Sequence, residues 1–86
     1  MVNKALNKII KGKKILILGF GKEGQSTYIT LRKYFPEQDY TISDTDISVK
    51  NNELIKDDKH LKFVLGEHYL DCLNDFDLII KSPGIS

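Results

Sequence analysis

Apolar residues in this chain follow two spacings. Four short runs rich in branched and aromatic residues, 14–18 (Lys-Ile-Leu-Ile-Leu), 40–43 (Tyr-Thr-Ile-Ser), 62–65 (Lys-Phe-Val-Leu) and 77–81 (Asp-Leu-Ile-Ile-Lys), predict strands. The first is continuously apolar after its lysine, as a strand buried on both faces of a parallel sheet requires. Between the first two runs, Tyr28, Leu31 and Phe35 recur at helical spacing while Arg32 and Lys33 face elsewhere, predicting a helix over 22–35 closed by Pro36. Its basic last turn suits the negative end of the helix dipole. Leu6, Ile9 and Ile10 predict a short amphipathic covering helix within residues 1–12, with Gly12 as its stop. Residues 47–60 are polar, with Ile47, Val49, Leu54 and Ile55 as anchors for a short, weakly defined helix. Residues 69–73 predict one or two helical turns with Tyr69, Leu70 and Leu73 inward.

This alternation predicts an α/β fold: a Rossmann-like parallel sheet of about four strands in the order 3-2-1-4, in a three-layer αβα arrangement. The stretch from Lys14 to Ser43 has the usual length of one βαβ unit. With strands one and four adjacent and their connections leaving in opposite directions, the crevice at their carboxyl ends is a topological switch point, where ligands bind in such sheets. Three turns converge there: Gly19 to Gly24, Asp44 to Asp46, and Ser82-Pro83-Gly84.

Composition narrows the class. The 86 residues, 41% hydrophobic and 29% charged, suffice for one small domain, 1–86, and not two. A net charge of +1 gives no polyanion-binding surface, so nucleic acid is not an expected partner. No apolar segment has the length of a membrane span or a signal peptide, so the expected location is the cytoplasm. The single cysteine, Cys72, allows no internal disulfide and reads as a small, partly buried hydrophobe.

In Gly19-x-Gly21-x-x-Gly24 the first glycine permits a tight turn off the strand, the second lets a phosphate approach the main chain, and the third lets the helix pack close to the sheet. The strand before it and the helix after it make it a phosphate-binding candidate at a helix N-terminus. Asp44 ends strand two, where Rossmann units offer a carboxylate to a nucleotide. It is equally suited to capping the short helix that follows. Thr45 adds a hydroxyl, and the negative charge of Asp46 argues against a 2′-phosphate and so against NADP. His60 and His68 lack neighbours with metal-ligand spacing. Asp71, Asp75 and Asp77 lack the glycine and terminal glutamate of a calcium loop and read as solvated turn residues. No Ser-His-Asp set and no G-x-x-x-x-G-K-[ST] loop is present. The residues describe a binding site without catalytic or metal-binding residues. A nucleotide-handling domain and an NAD-binding module of a regulatory protein or dehydrogenase both fit.

Ile-Leu-Gly-Phe-Gly-Lys-Glu-Gly-Gln-Ser, then Ser43-Asp44-Thr45, and above all Asp77-Leu-Ile-Ile-Lys-Ser-Pro-Gly-Ile-Ser86 resemble the N-terminal domain of the Mur ligases of bacterial peptidoglycan synthesis, in the branch that adds D-glutamate. The resemblance runs from Lys13 to Ser86, and Ser-Pro-Gly-Ile is its most specific part. It implies the N-terminal fragment of a three-domain cytoplasmic ligase, inactive alone, that holds the UDP part of UDP-N-acetylmuramoyl-L-alanine. ATP and magnesium would act in the central domain and are not cofactors of this one. It further implies that Gly19, Gly21, Lys22, Glu23 and Gly24 meet the uridine and diphosphate, that Asp44 and Thr45 meet the uracil, and that Ser82, Pro83 and Gly84 line the same pocket. The sequence departs from a member of the family at Asp46, where that member has a basic residue. Lys22 is a source of compensating charge, and either Asp46 faces solvent or the nucleotide sits slightly differently.

Overall fold

The structure is a computed structural model that describes residues 4–81, without the side chain of Leu6. A short helix α1 (Lys4–Ile10) leads into strand β1 (Ile15–Leu18), helix α2 (Lys22–Tyr34) and strand β2 (Tyr40–Asp44). A 3₁₀ turn at Ile47–Asn51 precedes β3 (Leu61–Leu65), and a second at Leu73–Asp75 precedes β4 (Leu78–Lys81). All strand pairs are parallel, in the order β3-β2-β1-β4, with Ile15 opposite both Tyr40 and Leu78, and Tyr40 opposite Leu61. The fold class and strand order are those the sequence predicts.

The all-apolar first strand is buried along its whole length, because both of its edges pair and both faces are covered. Ile15 and Ile17 of β1 and Tyr40 and Ile42 of β2 share one core with Tyr28, Leu31 and Phe35 of the α2 segment and with Val49 and Ile55 of the β2–β3 connection. Alternation along the strands turns Leu16, Leu18, Thr41 and Ser43 to the other face, where all four are also buried. There Phe76 lines a cavity with Thr41 and Lys62, so the β3–β4 connection lies on this face. That connection contains turns and one 3₁₀ turn, so this outer layer is thinner than a helical one.

Element limits differ from the predictions by single residues, for visible reasons. Lys14 and Asp77 lie just outside the sheet and bond each other: Lys14 N–H donates to Asp77 Oδ2 at 2.9 Å, and Asp77 N–H to the Lys14 carbonyl at 2.8 Å. Phe35 is the C-cap of α2, its N–H donating to the Leu31 carbonyl. In α1 Ile10 is buried while Ile9 is exposed, so the helix covers the core with one of those two isoleucines. The polar 47–60 stretch forms the 3₁₀ turn and further turns, anchored by buried Val49 and Ile55, whereas Ile47 and Leu54 are exposed. In the 69–73 stretch it is Cys72 that is buried and Leu70 that is exposed.

A polar hub closes the amino edge of the sheet. Asp58 Oδ2 accepts from the Tyr28 hydroxyl at 2.5 Å and from Arg32 Nε at 2.9 Å, while its Oδ1 accepts from the His60 N–H at 2.8 Å. The Arg32 guanidinium also donates to the carbonyls of Phe35, Pro36, Gln38 and His60, and lies 4.9 Å from the Tyr40 ring centroid. One side chain thereby satisfies carbonyls past the end of α2 and fastens that end to the β2–β3 connection.

Candidate functional site

At the carboxyl edge the ends of three strands are stitched side by side. Gly19 N–H donates to the Ser43 carbonyl at 2.7 Å, and Gly66 N–H to the Asp44 carbonyl at 2.9 Å, each extending its ladder by one step. Gly19 has a φ of 92°, a left-handed conformation that any side chain would strain, and it turns β1 sharply toward α2.

Gly21 is the N-cap of α2, with an extended backbone and no side chain to cap the helix. None of the backbone N–H groups of Gly21, Lys22, Glu23 and Gly24 donates to another described residue. Gly21, Lys22 and Glu23 are exposed, while Gly24 is buried. A β-carbon built on Gly21 meets nothing within 4 Å, and its φ of −74° suits any residue. Serine, aspartate or asparagine would cap this helix slightly better, so glycine here is an adequate N-cap whose lack of a side chain is not demanded by any contact among the described residues.

The Asp44 carboxylate reaches across to the glycine turn. Its Oδ2 accepts from the Phe20 N–H at 2.7 Å, and its Oδ1 accepts from the Asp46 N–H at 2.9 Å and, more distantly, from the Thr45 hydroxyl at 3.4 Å. Asp44 therefore braces the turn, and the cap of the following 3₁₀ turn is Asp46 instead. Asp46 Oδ1 accepts from Ser48 N–H at 2.9 Å and Ser48 Oγ–H at 2.7 Å. The Ser48 hydroxyl, then its N–H, hold the Asp46 carboxyl below the usual carboxylate range. Thr45 is exposed beside it.

The structure thus brings Gly19, Gly21, Lys22, Glu23, Gly24, Asp44 and Thr45 to one edge. Ser82, Pro83 and Gly84 lie outside the described residues. Lys81 pairs with Leu18, so the chain leaves β4 beside the glycine turn. Sequence reasoning missed Gln25, whose Nε2 donates to the Phe20 carbonyl at 3.1 Å. The signal was its place one residue beyond the last glycine, where a long amide reaches back over the first helical turn. Gln25, Phe20, Asp46, Ser48 and Asn52 line an open polar cavity of about 630 Å³ next to the turn.

A parallel sheet that delivers a glycine turn, an uncapped helix start and a bracing carboxylate to its switch point defines a Rossmann-like α/β domain. Residues 13–86 match the family described as Mur ligase MurD-like, N-terminal domain, and the chain belongs to that family. It is 32% identical over 87% of its length to a UDP-N-acetylmuramoylalanine--D-glutamate ligase of Ligilactobacillus salivarius, covering 16% of that protein. It is 35% identical over 98% of its length to the enzyme of the same name from Acetivibrio thermocellus, covering 19% of it. A UDP-N-acetylmuramoyl-L-alanine--L-glutamate ligase of Xanthomonas oryzae pv. oryzae is 32% identical over 88% of the chain, which covers 16% of that protein. The chain thus spans less than a fifth of the length of these relatives. No solved structure matches it significantly. Among the described residues, no helix is long and apolar enough to cross a membrane.

Proposed function

We propose that this chain is the domain that holds the UDP end of UDP-N-acetylmuramoyl-L-alanine in a cytoplasmic, ATP-dependent ligase that adds D-glutamate in peptidoglycan synthesis, and so serves cell shape and division. The observation that carries the reading is the helix start at Gly21, exposed, without a side-chain cap, and with no β-carbon to keep a ligand from its main chain. A diphosphate oxygen approaching the main chain fits that opening. In this reading Gly21 to Gly24 present N–H groups to the diphosphate, Lys22 adds positive charge, and Asp44 and Thr45 meet the uracil. Ser82-Pro83-Gly84 closes the pocket from β4.

The Asp44 hydrogen bonds favour uridine over the alternative, an NAD-binding module. Each carboxylate oxygen has two acceptor positions. Oδ1 already accepts from two donors and Oδ2 from one. One well-placed position remains, which suits a single imide N–H and falls short of the paired acceptors that a ribose diol takes.

D- and L-glutamate ligases both occur among the relatives, and their names share the UDP-N-acetylmuramoyl-alanine part. A first domain that grips that shared part accounts for likeness to both. ATP and magnesium are assigned to the central domain, and the acceptor amino acid to a domain beyond this chain. Among the described residues no cluster of three His, Cys, Asp or Glu side chains is arranged to hold a metal. This domain binds and orients; the bond-making steps are assigned to its partners in the full-length enzyme.

The test is an amide NMR titration of the chain with UDP and, separately, NAD. UDP should shift Gly21 to Gly24, Asp44 and Thr45, and NAD should not. Gly21→Ala should lower stability by no more than about 1 kcal/mol, the loss of a glycine N-cap, and weaken UDP binding about tenfold or more by displacing the phosphate from the backbone. Selective shifts with NAD, or full UDP affinity in Gly21→Ala, would reject the reading.

A further inference from the structure

The glycine turn is held by two side chains that grip successive peptide units. Asp44 Oδ2 accepts from the Phe20 N–H at 2.7 Å, and Gln25 Nε2 donates to the Phe20 carbonyl at 3.1 Å. The second contact fixes the plane of the Phe20–Gly21 peptide. In a trans peptide the C=O and N–H of one unit point in opposite directions, and the chain contains no cis bond among its described residues. Holding the Phe20 carbonyl toward Gln25 therefore sends the Gly21 N–H the other way. That N–H has no partner among the described residues, and Gly21 is exposed.

We infer that Gln25 is a positioning residue for phosphate recognition: by pinning the Phe20 carbonyl it aims the Gly21 N–H at the bound diphosphate. The inference rests on the diphosphate reading of the turn given above. Glycine on one side of this peptide leaves its plane free to rotate, because Gly21 has no β-carbon to restrict it. Phe20 contributes in its own way, since its ring is buried and stands edge-on to Tyr28 at 6.1 Å, which fixes the near side of the peptide. Gln25 supplies the remaining restraint from the first turn of α2. Because its hydrogen bond is intramolecular, it restrains the Gly21 N–H before any ligand arrives.

Two variants test this in the 86-residue chain. Gln25→Met keeps the length and loses the donor, and Gln25→Asn keeps the amide on a stem one methylene shorter. NMR titrations with inorganic pyrophosphate and with uridine separate the two halves of the ligand. Both variants should bind pyrophosphate roughly five- to tenfold more weakly, the loss expected when one ordinary hydrogen bond no longer preorganises the donor. Uridine affinity should be unchanged, and the Gly21 amide resonance should move in the ligand-free variants. Unchanged pyrophosphate affinity in both variants overturns the inference, as does an equal loss for both probes, which marks general loosening. Failure of the unmodified chain to bind UDP and pyrophosphate overturns the functional reading and this inference with it. That outcome is recognised on the unmodified chain alone.

Discussion

Asp58 and Asp44 brace opposite edges of the sheet, and they do so in different ways. Asp58, at the amino edge, takes a phenol and a guanidinium on one oxygen and a backbone N–H on the other, among side chains largely removed from water. Its acceptor sites are well used and its partners belong to the chain. Asp44, at the carboxyl edge, also ties distant segments together, but it is half-exposed, keeps one acceptor position on Oδ2, and stands beside a helix start with open N–H groups. Each carboxylate accepts three hydrogen bonds from its own chain, so the count does not separate them. Surroundings do: the position left on Asp58 lies among side chains largely removed from water, whereas the one left on Asp44 is half-exposed next to open donors and so is equipped to meet a ligand as well.

This contrast is most easily broken at Asp58. Replacing it with alanine strands the Arg32 guanidinium without its counter-charge, and buried pairs broken on one side cost about 3–5 kcal/mol. Arg32 keeps carbonyl partners, so a loss of about 3 kcal/mol is expected in urea unfolding of Asp58→Ala. UDP affinity of the folded fraction should not change. A fall in affinity comparable with that of Asp44→Ala would erase the distinction between the two edges.

Asp44→Ala should show the reverse balance. Freed of its brace, the glycine turn loses hydrogen bonds to a charged acceptor, so UDP should bind about 10- to 100-fold more weakly by calorimetry. Stability should fall by only about 1–2 kcal/mol, since water can reach the groups left behind.

Titration sharpens the comparison further. Burial raises the Asp58 carboxyl, but the Tyr28 hydroxyl, the His60 N–H and Arg32 together outweigh it and hold the group below the usual range. A lowered carboxylate contributes stability that is complete above the ordinary value of about 4 and is lost as pH falls through the folded value. Burial, opposed by Arg32 and aided by Asp58, pushes Tyr40 up to about 12. Its contribution is complete below the ordinary tyrosine value of about 10 and is lost as pH rises toward 12. Urea midpoints should therefore decline at both extremes in the unmodified chain. In Asp58→Ala the acid decline should flatten. An unchanged acid limb would remove Asp58 from the account.

The strands and α2 were legible because their signals are local. Ile15 to Leu18 is an apolar run that only a doubly covered strand explains, and Tyr28, Leu31 and Phe35 repeat with the helical period. The glycine turn was legible for the same reason. Leu70 and Ile9 were misplaced because a stretch of one or two turns gives too few positions to fix a phase, and neighbouring Cys72 and Ile10 took the buried places. The hub joins Arg32 to Asp58 across 26 residues, and the brace joins Phe20 to Asp44 across 24, so neither leaves a periodic trace. Asp44 was singled out as a candidate site residue from its place after β2. Its structural role emerged only when the sheet laid it beside the turn.

The span of the Asp44 brace also couples recognition to folding. Phe20 and Asp44 can meet only once β1 and β2 are in register, with Ile15 opposite Tyr40 and Leu18 opposite Ser43. An unfolded chain, or one with β2 detached, has no assembled turn and no affinity to offer. Ligand that selects the folded form must then stabilise it by mass action, by about 2.7 kcal/mol when present at one hundred times its dissociation constant. For a domain of this size that is a large share of its total stability. On the proposed function, the abundance of folded protein in the cell would track the supply of whatever ligand the turn holds.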